Sequence, residues 1–263
     1  MSAVAKRDIE ALHASLKRTP YRANRVRSLL SKMFSLAVEW KWCANNPVRG
    51  TKEFHEDKRE FWLSGEQLQR FAQALDSYPN QNAADALRLL LLTGAREQEV
   101  LKSEWLQIDL ERGSWTKPSH HTKEKKIEHV PLSEPALALL RRMKKANGAT
   151  GPLFPGKAGG SRKTIRRTWV QVCRAAGLTT PYTVVGKRRM IVRHKPILRI
   201  HDLRHSYASY LVSGGVSLPK VGKLLGHTQP ATTQRYAHLQ DDALRDATNV
   251  FGKIFKVAGK KRR

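Results

Sequence analysis

The sequence predicts a mainly α-helical protein with one small antiparallel β-sheet, an α+β chain in two unequal parts. Three observations predict it. Apolar side chains recur at helical spacing through most of the chain. Short alternating segments lie together between Trp105 and Leu132. A polar stretch without periodicity, Thr51 to Glu60, separates a short N-terminal part from the rest. The boundaries that follow are residues 1–56, a partial helical unit with its linker, and residues 57–263, a larger domain ending in the basic tail KVAGKKRR.

In chain order, Val26, Leu29, Leu30, Met33, Ala37 and Trp40 form an apolar helical face, and CANNPVRG after Trp42 stops the helix. Ser64 followed by Gln67 is a capping-box pattern, with Leu68, Phe71, Ala72 and Leu75 behind it. Ala84 to Leu92 is apolar enough to be a buried helix, and it runs into TGAREQEV. WLQIDL, Ser114 to Lys117 and IEHVPL read as three strands, with the positive loop HHTKEKK between the second and third. Ser133 caps a helix through Lys145, and another helix is expected from Ser161, with Ile165, Trp169, Val172 and Cys173 inside. Leu178 to Arg199 holds GKRRMIVRHK, a candidate hairpin. Helices then carry His201 and Arg204, LLGH, and Tyr236, and a last amphipathic helix is expected over Asp241 to Phe255.

Composition narrows the function. Of 263 residues, 49 are basic and 22 acidic, a net charge of +27. That excess points to a polyanion, with nucleic acid ahead of an anionic membrane surface. Both parts are basic, with 11 basic and 5 acidic side chains in residues 1–56. No apolar run reaches the roughly 18 residues of a membrane span, and no secretory leader opens the chain, so no membrane partner is expected. Two cysteines, Cys43 and Cys173, fit a reducing cytoplasm better than a disulfide framework.

The chemistry concentrates in HDLRHSYASYLVSGGVSLPKVGKLLGHTQPATTQRYAHL. His201 and Arg204, at i and i+3, project from one side of a helix. Arg offers a planar fork for phosphate oxygens, and His exchanges protons near neutral pH. His227 follows a glycine that admits close backbone approach. Tyr236 supplies a phenol, which could attack only with positive charge or a base nearby, because a phenol has a pKa of about 10. Alone, an HxxR pair reads as a solvated helix face. His201 and His205 have the spacing of a zinc pair but lack the HExxH glutamate and any cysteine cluster, so His205 and Asp202 read as packing and capping residues. Glu99 reads as a local structural partner, and Tyr207 and Tyr210 as packing residues.

TGAREQEV, HTKEKKIEHVPLS, HDLRHSYASYL, LLGH and TTQRYAHL together resemble, in order and spacing, the tyrosine recombinases of the phage-integrase family. The similarity covers about residues 60–250. It implies that Tyr236 is the nucleophile, that Arg96 and Arg204 clamp the scissile phosphate, and that His201 exchanges a proton with the tyrosine. It further implies that His227 bonds a phosphate oxygen and that Lys123 protonates the leaving 5′-oxygen. Lys125 and Lys126 are the solvated alternatives to Lys123. The resemblance implies a site-specific recombinase acting on double-stranded DNA through a 3′-phosphotyrosyl bond, with no cofactor. The resemblance also implies that four protomers act in a synapse on DNA in the nucleoid, with accessory DNA-bending or directionality proteins as further partners. Further DNA contacts are expected from Arg22, Arg25, Arg162, Arg166, Lys187, Arg188 and Arg189. The alternatives are a type IB topoisomerase-like relaxing enzyme, a non-integrating DNA-binding member, and a metallohydrolase.

The chain departs from the family in two places. Its first 50 residues supply about two helices where a core-binding domain has about four, and no arm-binding domain precedes them. A reduced clamp or a truncated member is therefore expected. Leu178 to Arg199 exceeds the usual connection, which suggests an inserted element that touches DNA.

Overall fold

The computed structural model describes residues 4–56, 61–118, 127–156, 159–185 and 190–240. Two compact units divide at Glu60 and Phe61, four residues beyond the boundary expected from composition. In the first unit, α1 (Lys6–Ser15) and α2 (Pro20–Glu39) enclose Ile9, Phe34 and Val48. The inward face of α2 is rotated from the expected one. Ala23, Asn24, Phe34 and Ala37 are buried, while Leu29, Met33 and Trp40 are exposed. Asn24 lies on the buried face. Its amide bonds the backbone of Phe54 in both directions, at 2.8 and 2.9 Å, so this polar side chain must face inward. Arg27 holds the Thr51 carbonyl at 2.7 Å, and His13 stacks on Phe54 with centroids 4.2 Å apart. Residues 51–56, expected to be free linker, are therefore fastened to α2.

The second unit opens with α3 (Gly65–Asp76), whose capping box forms as its sequence predicts. Ser64 Oγ accepts from Gln67 N at 3.2 Å, and Gln67 Oε1 accepts from Ser64 N at 3.0 Å. Next, α4 (Gln81–Thr93) is buried on nearly every side, packed against α3 and against the later helices Glu134–Asn147 and Asp202–Ser213. Its internal carboxylate, Asp85, is neutralised by Arg88 and Arg142, each at 2.6 Å. The chain continues through α5 (Glu97–Leu101), β1 (Ile108–Asp109), β2 (Ser114–Lys117), β3 (Glu128–Pro131) and α6 (Glu134–Asn147). The three strands form an antiparallel sheet in the order β1-β2-β3. WLQIDL supplies only two strand residues, because Trp105–Gln107 closes into a 3₁₀ turn that buries Trp105. Ser133 sits at the N-cap of α6 without a side-chain bond to the helix.

A two-stranded ribbon, β4 (Pro155–Gly156) and β5 (Gly159–Ser161), delays α7 to Arg166–Ala175, five residues later than expected. The stretch Leu178 to Arg199 carries two paired antiparallel strands. In it β6 (Thr179–Val185) pairs with β7 (Met190–Pro196), from Thr179 opposite Pro196 to Val185 opposite Met190. Last come α8 (Asp202–Ser213), α9 (Leu218–Leu225), α10 (Pro230–Gln234) and a 3₁₀ turn, Ala237–Gln240.

Two apolar clusters organise this unit. The larger joins Phe71, Leu87, Trp115, Leu140 and Trp169, each side chain contributing roughly 1.5–3 kcal/mol by burial. The smaller joins Ala208, Val212, Val221, Leu225 and Tyr236. The chain after α10 is therefore held to α8 and α9 by the ring of Tyr236 itself. Ser206 and Tyr210 bond the backbone of Leu63, at 3.0 and 3.1 Å, which ties α8 to the start of the unit.

Candidate active site

Arg96 follows Gly94, which ends α4 at φ 61°. A Cβ on Gly94 would lie 2.5 Å from the Tyr207 ring, so the position needs glycine for its backbone angle and for space. The turn sets Arg96 at the N-cap of α5, where Glu99 binds it twice. Oε1 accepts from the guanidinium at 2.6 Å, and Oε2 from the Arg96 backbone N–H at 3.1 Å. Glu99 is thus the structural partner that its position suggested. Its carboxylate also accepts from the buried Lys117 ammonium at 2.8 Å. Burial opposes the charge on Glu99, but Lys117 and Arg96 prevail and hold its pKa below the ordinary value.

Arg204, in the first turn of α8, is buried. Its Nη1 donates to the Gly94 carbonyl at 2.8 Å, and its Nη2 donates to the Leu225 carbonyl at 2.6 Å. One guanidinium therefore joins the end of α4 to the end of α9. Burial and the nearby Arg96 push its pKa down to about 10, which leaves it charged at neutral pH. His201 stands at the N-cap of α8. His227 follows Gly226, the left-handed end of α9 at φ 65°, and its Nδ1 meets Thr233 Oγ1 at 2.8 Å. That contact leaves Nε2 as the ring nitrogen for a ligand. Desolvation, then Arg204 and Arg96, lower the pKa of His227 to about 4, and desolvation with Arg204 also lowers that of His201.

These four residues, with Gly226, Thr228, Gln229 and Thr232, line a cavity of about 380 Å³. Two guanidinium groups and two neutral imidazoles around such a space suit one phosphodiester group. Tyr236 does not line it. Its ring is buried in the smaller apolar cluster, and its hydroxyl meets Nδ1 of His205 at 2.6 Å. His205 lies four residues beyond His201 on α8, about 6 Å along the helix, and the two rings meet edge to face at 5.1 Å. Burial raises the pKa of Tyr236, opposed by Arg235 and Arg204.

The sequence reading of His205 as a packing residue missed this contact. The signal was present, because i and i+4 share a helix face, but nothing local says that Tyr236 returns to it. Lys117 was missed because a strand lysine carries no signal of burial. Among the described residues, no three His, Cys, Asp or Glu side chains cluster as metal ligands.

Among the expected DNA-contact residues, Arg22, Arg25 and Arg166 are exposed. Arg162 is half-buried and donates to Asn82 on α4 at 3.0 Å, so part of its guanidinium is committed within the fold. Lys123, Lys187, Arg188, Arg189 and the stretch Asp241 to Phe255 lie outside the described residues.

Residues 61–243 match the model of the phage integrase family. The chain is 25% identical over 242 residues to the integrase of Escherichia phage 186, and 29% identical over 233 residues to that of Escherichia phage P2. These alignments cover 87% and 88% of this chain but 63% and 59% of the two integrases, so the chain spans about three fifths of their length. Tyrosine recombinase XerC of Xanthomonas campestris is 33% identical over 155 residues, covering 58% of this chain and 43% of that protein. Among solved structures, the Tn1549 transposon integrase in complex with a circular intermediate DNA shares the fold. Its TM-score is 0.74 at 16% identity, covering 95% of this chain and 86% of that one. A lambda integrase tetramer bound to a Holliday junction matches at TM-score 0.70 and 21% identity, covering 89% and 64%. With Arg96, His201, Arg204 and His227 brought to one cavity and the family model matched over residues 61–243, this protein belongs to the phage integrase family of tyrosine recombinases.

Proposed function

We propose that this chain is a site-specific DNA strand transferase that cleaves and rejoins double-stranded DNA through Tyr236. The observation that carries the reading is the cavity in which Arg96, Arg204, His201 and His227 converge, beside a buried tyrosine whose position in the sequence is that of the family's nucleophile. The scissile phosphate occupies the cavity. Arg96 and the N–H groups that Arg204 has not given to carbonyls stabilise its equatorial oxygens, and His227 adds a bond from Nε2. The Tyr236 oxygen bonds to phosphorus as the bond from phosphorus to the 5′-oxygen breaks. The phenol gives its proton to a neutral imidazole, His201 by family role. The 5′-oxygen gains one from Lys123, again by family role. The product is a 3′-phosphotyrosyl strand that keeps the energy of the phosphodiester, so the reverse attack by a 5′-hydroxyl rejoins DNA without nucleotide fuel.

Residues 1–56 serve in this reading as a second, helical DNA-binding part, presenting Arg22 and Arg25, while Arg166 contacts DNA from the catalytic unit. The protein works as a tetramer on paired sites, as the lambda integrase does on a Holliday junction, in the nucleoid.

The test is covalent capture on duplexes in which a nick lets the cleaved 5′ end diffuse away. Wild-type protein forms a denaturant-resistant adduct on a subset of sites. Tyr236→Phe binds the same DNA and forms none. An adduct with Tyr236→Phe overturns the assignment, and relaxation of any plasmid without site preference favours a relaxing enzyme.

A further inference from the structure

Lys117 is the last residue of β2, and its side chain is only 2% exposed. A lysine is rarely sealed away from water, because desolvating an ammonium is expensive unless anions surround it. Two do. Glu99 lies 2.8 Å from Nζ and Glu128 3.7 Å, and the Trp115 ring sits 4.9 Å beneath it. Each carboxylate leads to a different part of the site. Glu99 holds the guanidinium and the backbone of Arg96. Glu128 lies against Gly226, where a Cβ would come within 2.6 Å of Oε1, so its carboxylate backs the turn that presents His227. Lys117 and Glu128 are also cross-strand partners in the β2–β3 ladder, and Lys123 falls between them in the sequence.

We propose that Lys117 is a positioning residue for strand transfer, the buried cation that fixes the segments bearing Arg96 and His227 relative to one another. The inference rests on the proposed strand-transfer function. Lys117 does not line the phosphate cavity. It acts through Glu99, which without it has one cationic partner in place of two and a wider choice of rotamers. A displaced arginine costs transition-state stabilisation more than DNA affinity, because most of that affinity comes from the many phosphate contacts of the duplex.

The test compares wild type, Lys117→Met and Lys117→Met/Glu128→Gln on the nicked duplex. Melting, the DNA concentration at half-maximal rate and the maximal single-turnover rate of adduct formation are measured for each. Lys117→Met is expected to lower the maximal rate about 100-fold, the scale of a 1 Å misplacement, with half-saturation unchanged. The double variant removes one negative charge with the positive one, so it is expected to recover melting while its rate stays low. A maximal rate within threefold of wild type in folded Lys117→Met overturns the proposal, as does a loss confined to half-saturation. If the single variant does not fold, the double variant decides: recovery of rate together with melting shows a merely structural lysine, and recovery of melting alone supports positioning. A wild-type protein that forms no adduct on any site instead removes the functional reading itself.

Discussion

His205 Nδ1 and the hydroxyl of Tyr236 lie 2.6 Å apart, across 31 residues of sequence. The phenol oxygen is satisfied one helical turn along α8 from His201, outside the cavity in which Arg96 and Arg204 converge. A neutral imidazole keeps the buried phenol hydrogen-bonded here, and the proposed attack of Tyr236 on a phosphate requires that bond to be exchanged.

The contact has a stability consequence. His205→Ala strands the hydroxyl in an apolar pocket, at a cost of about 1–3 kcal/mol. In His205→Asn, the amide Oδ1 falls near the position of Nδ1 and recovers most of it, whereas Gln places its oxygen too far along the side chain. Urea denaturation midpoints of the three variants check this, and equal midpoints for Ala and Asn would contradict it.

A second prediction concerns acid. Burial, followed by Arg235, His201 and Arg204, lowers the pKa of His205 to about 3, and His227 is lowered to about 4. Both lie below the unfolded value of about 6.5, so between these limits the unfolded chain binds more protons than the folded one. Their contribution is fully present above pH 6.5 and declines as pH falls from about 6.5, toward about 4 for His227 and about 3 for His205. Stability of the DNA-free protein should therefore drop over that window, and His205→Asn should flatten the drop. Thermal melts across the pH series measure it.

Gly226 is predicted to tolerate no side chain. Its φ of 65° disfavours an L residue, and a new methyl would meet the Glu128 carboxylate at 2.6 Å. Gly226→Ala should lose about 1–3 kcal/mol of stability and slow adduct formation by displacing His227. Gly226→Ala/Glu128→Ala should regain only the steric part. Denaturation and single-turnover cleavage, measured together, separate the two effects.

The β6–β7 hairpin is predicted to carry salt-sensitive DNA affinity. Arg193 and Lys195 lie on one face of it, exposed and two residues apart. Replacing both with Ala should lower affinity similarly for all sequences and reduce the slope of log K against log salt by about 2, roughly one unit per phosphate contact. An unchanged slope would exclude this face from the interface.

The sequence alone determined which reactive residue types the chain carries and the family they resemble, because the boxes set those residues at fixed spacings along the chain. The capping box at Ser64, the glycine ends of α4 and α9 and the buried apolar run of α4 were legible for the same reason: short-range geometry decides them. Tertiary structure decided the partners. That Arg204 gives its donors to Gly94 and Leu225, that Tyr236 returns to His205, and that a strand lysine becomes the buried counter-charge of Glu99 are contacts across 18 to 110 residues. No periodicity encodes them. They follow from desolvation, which obliges each buried polar group to find a partner wherever the packed helices happen to bring one.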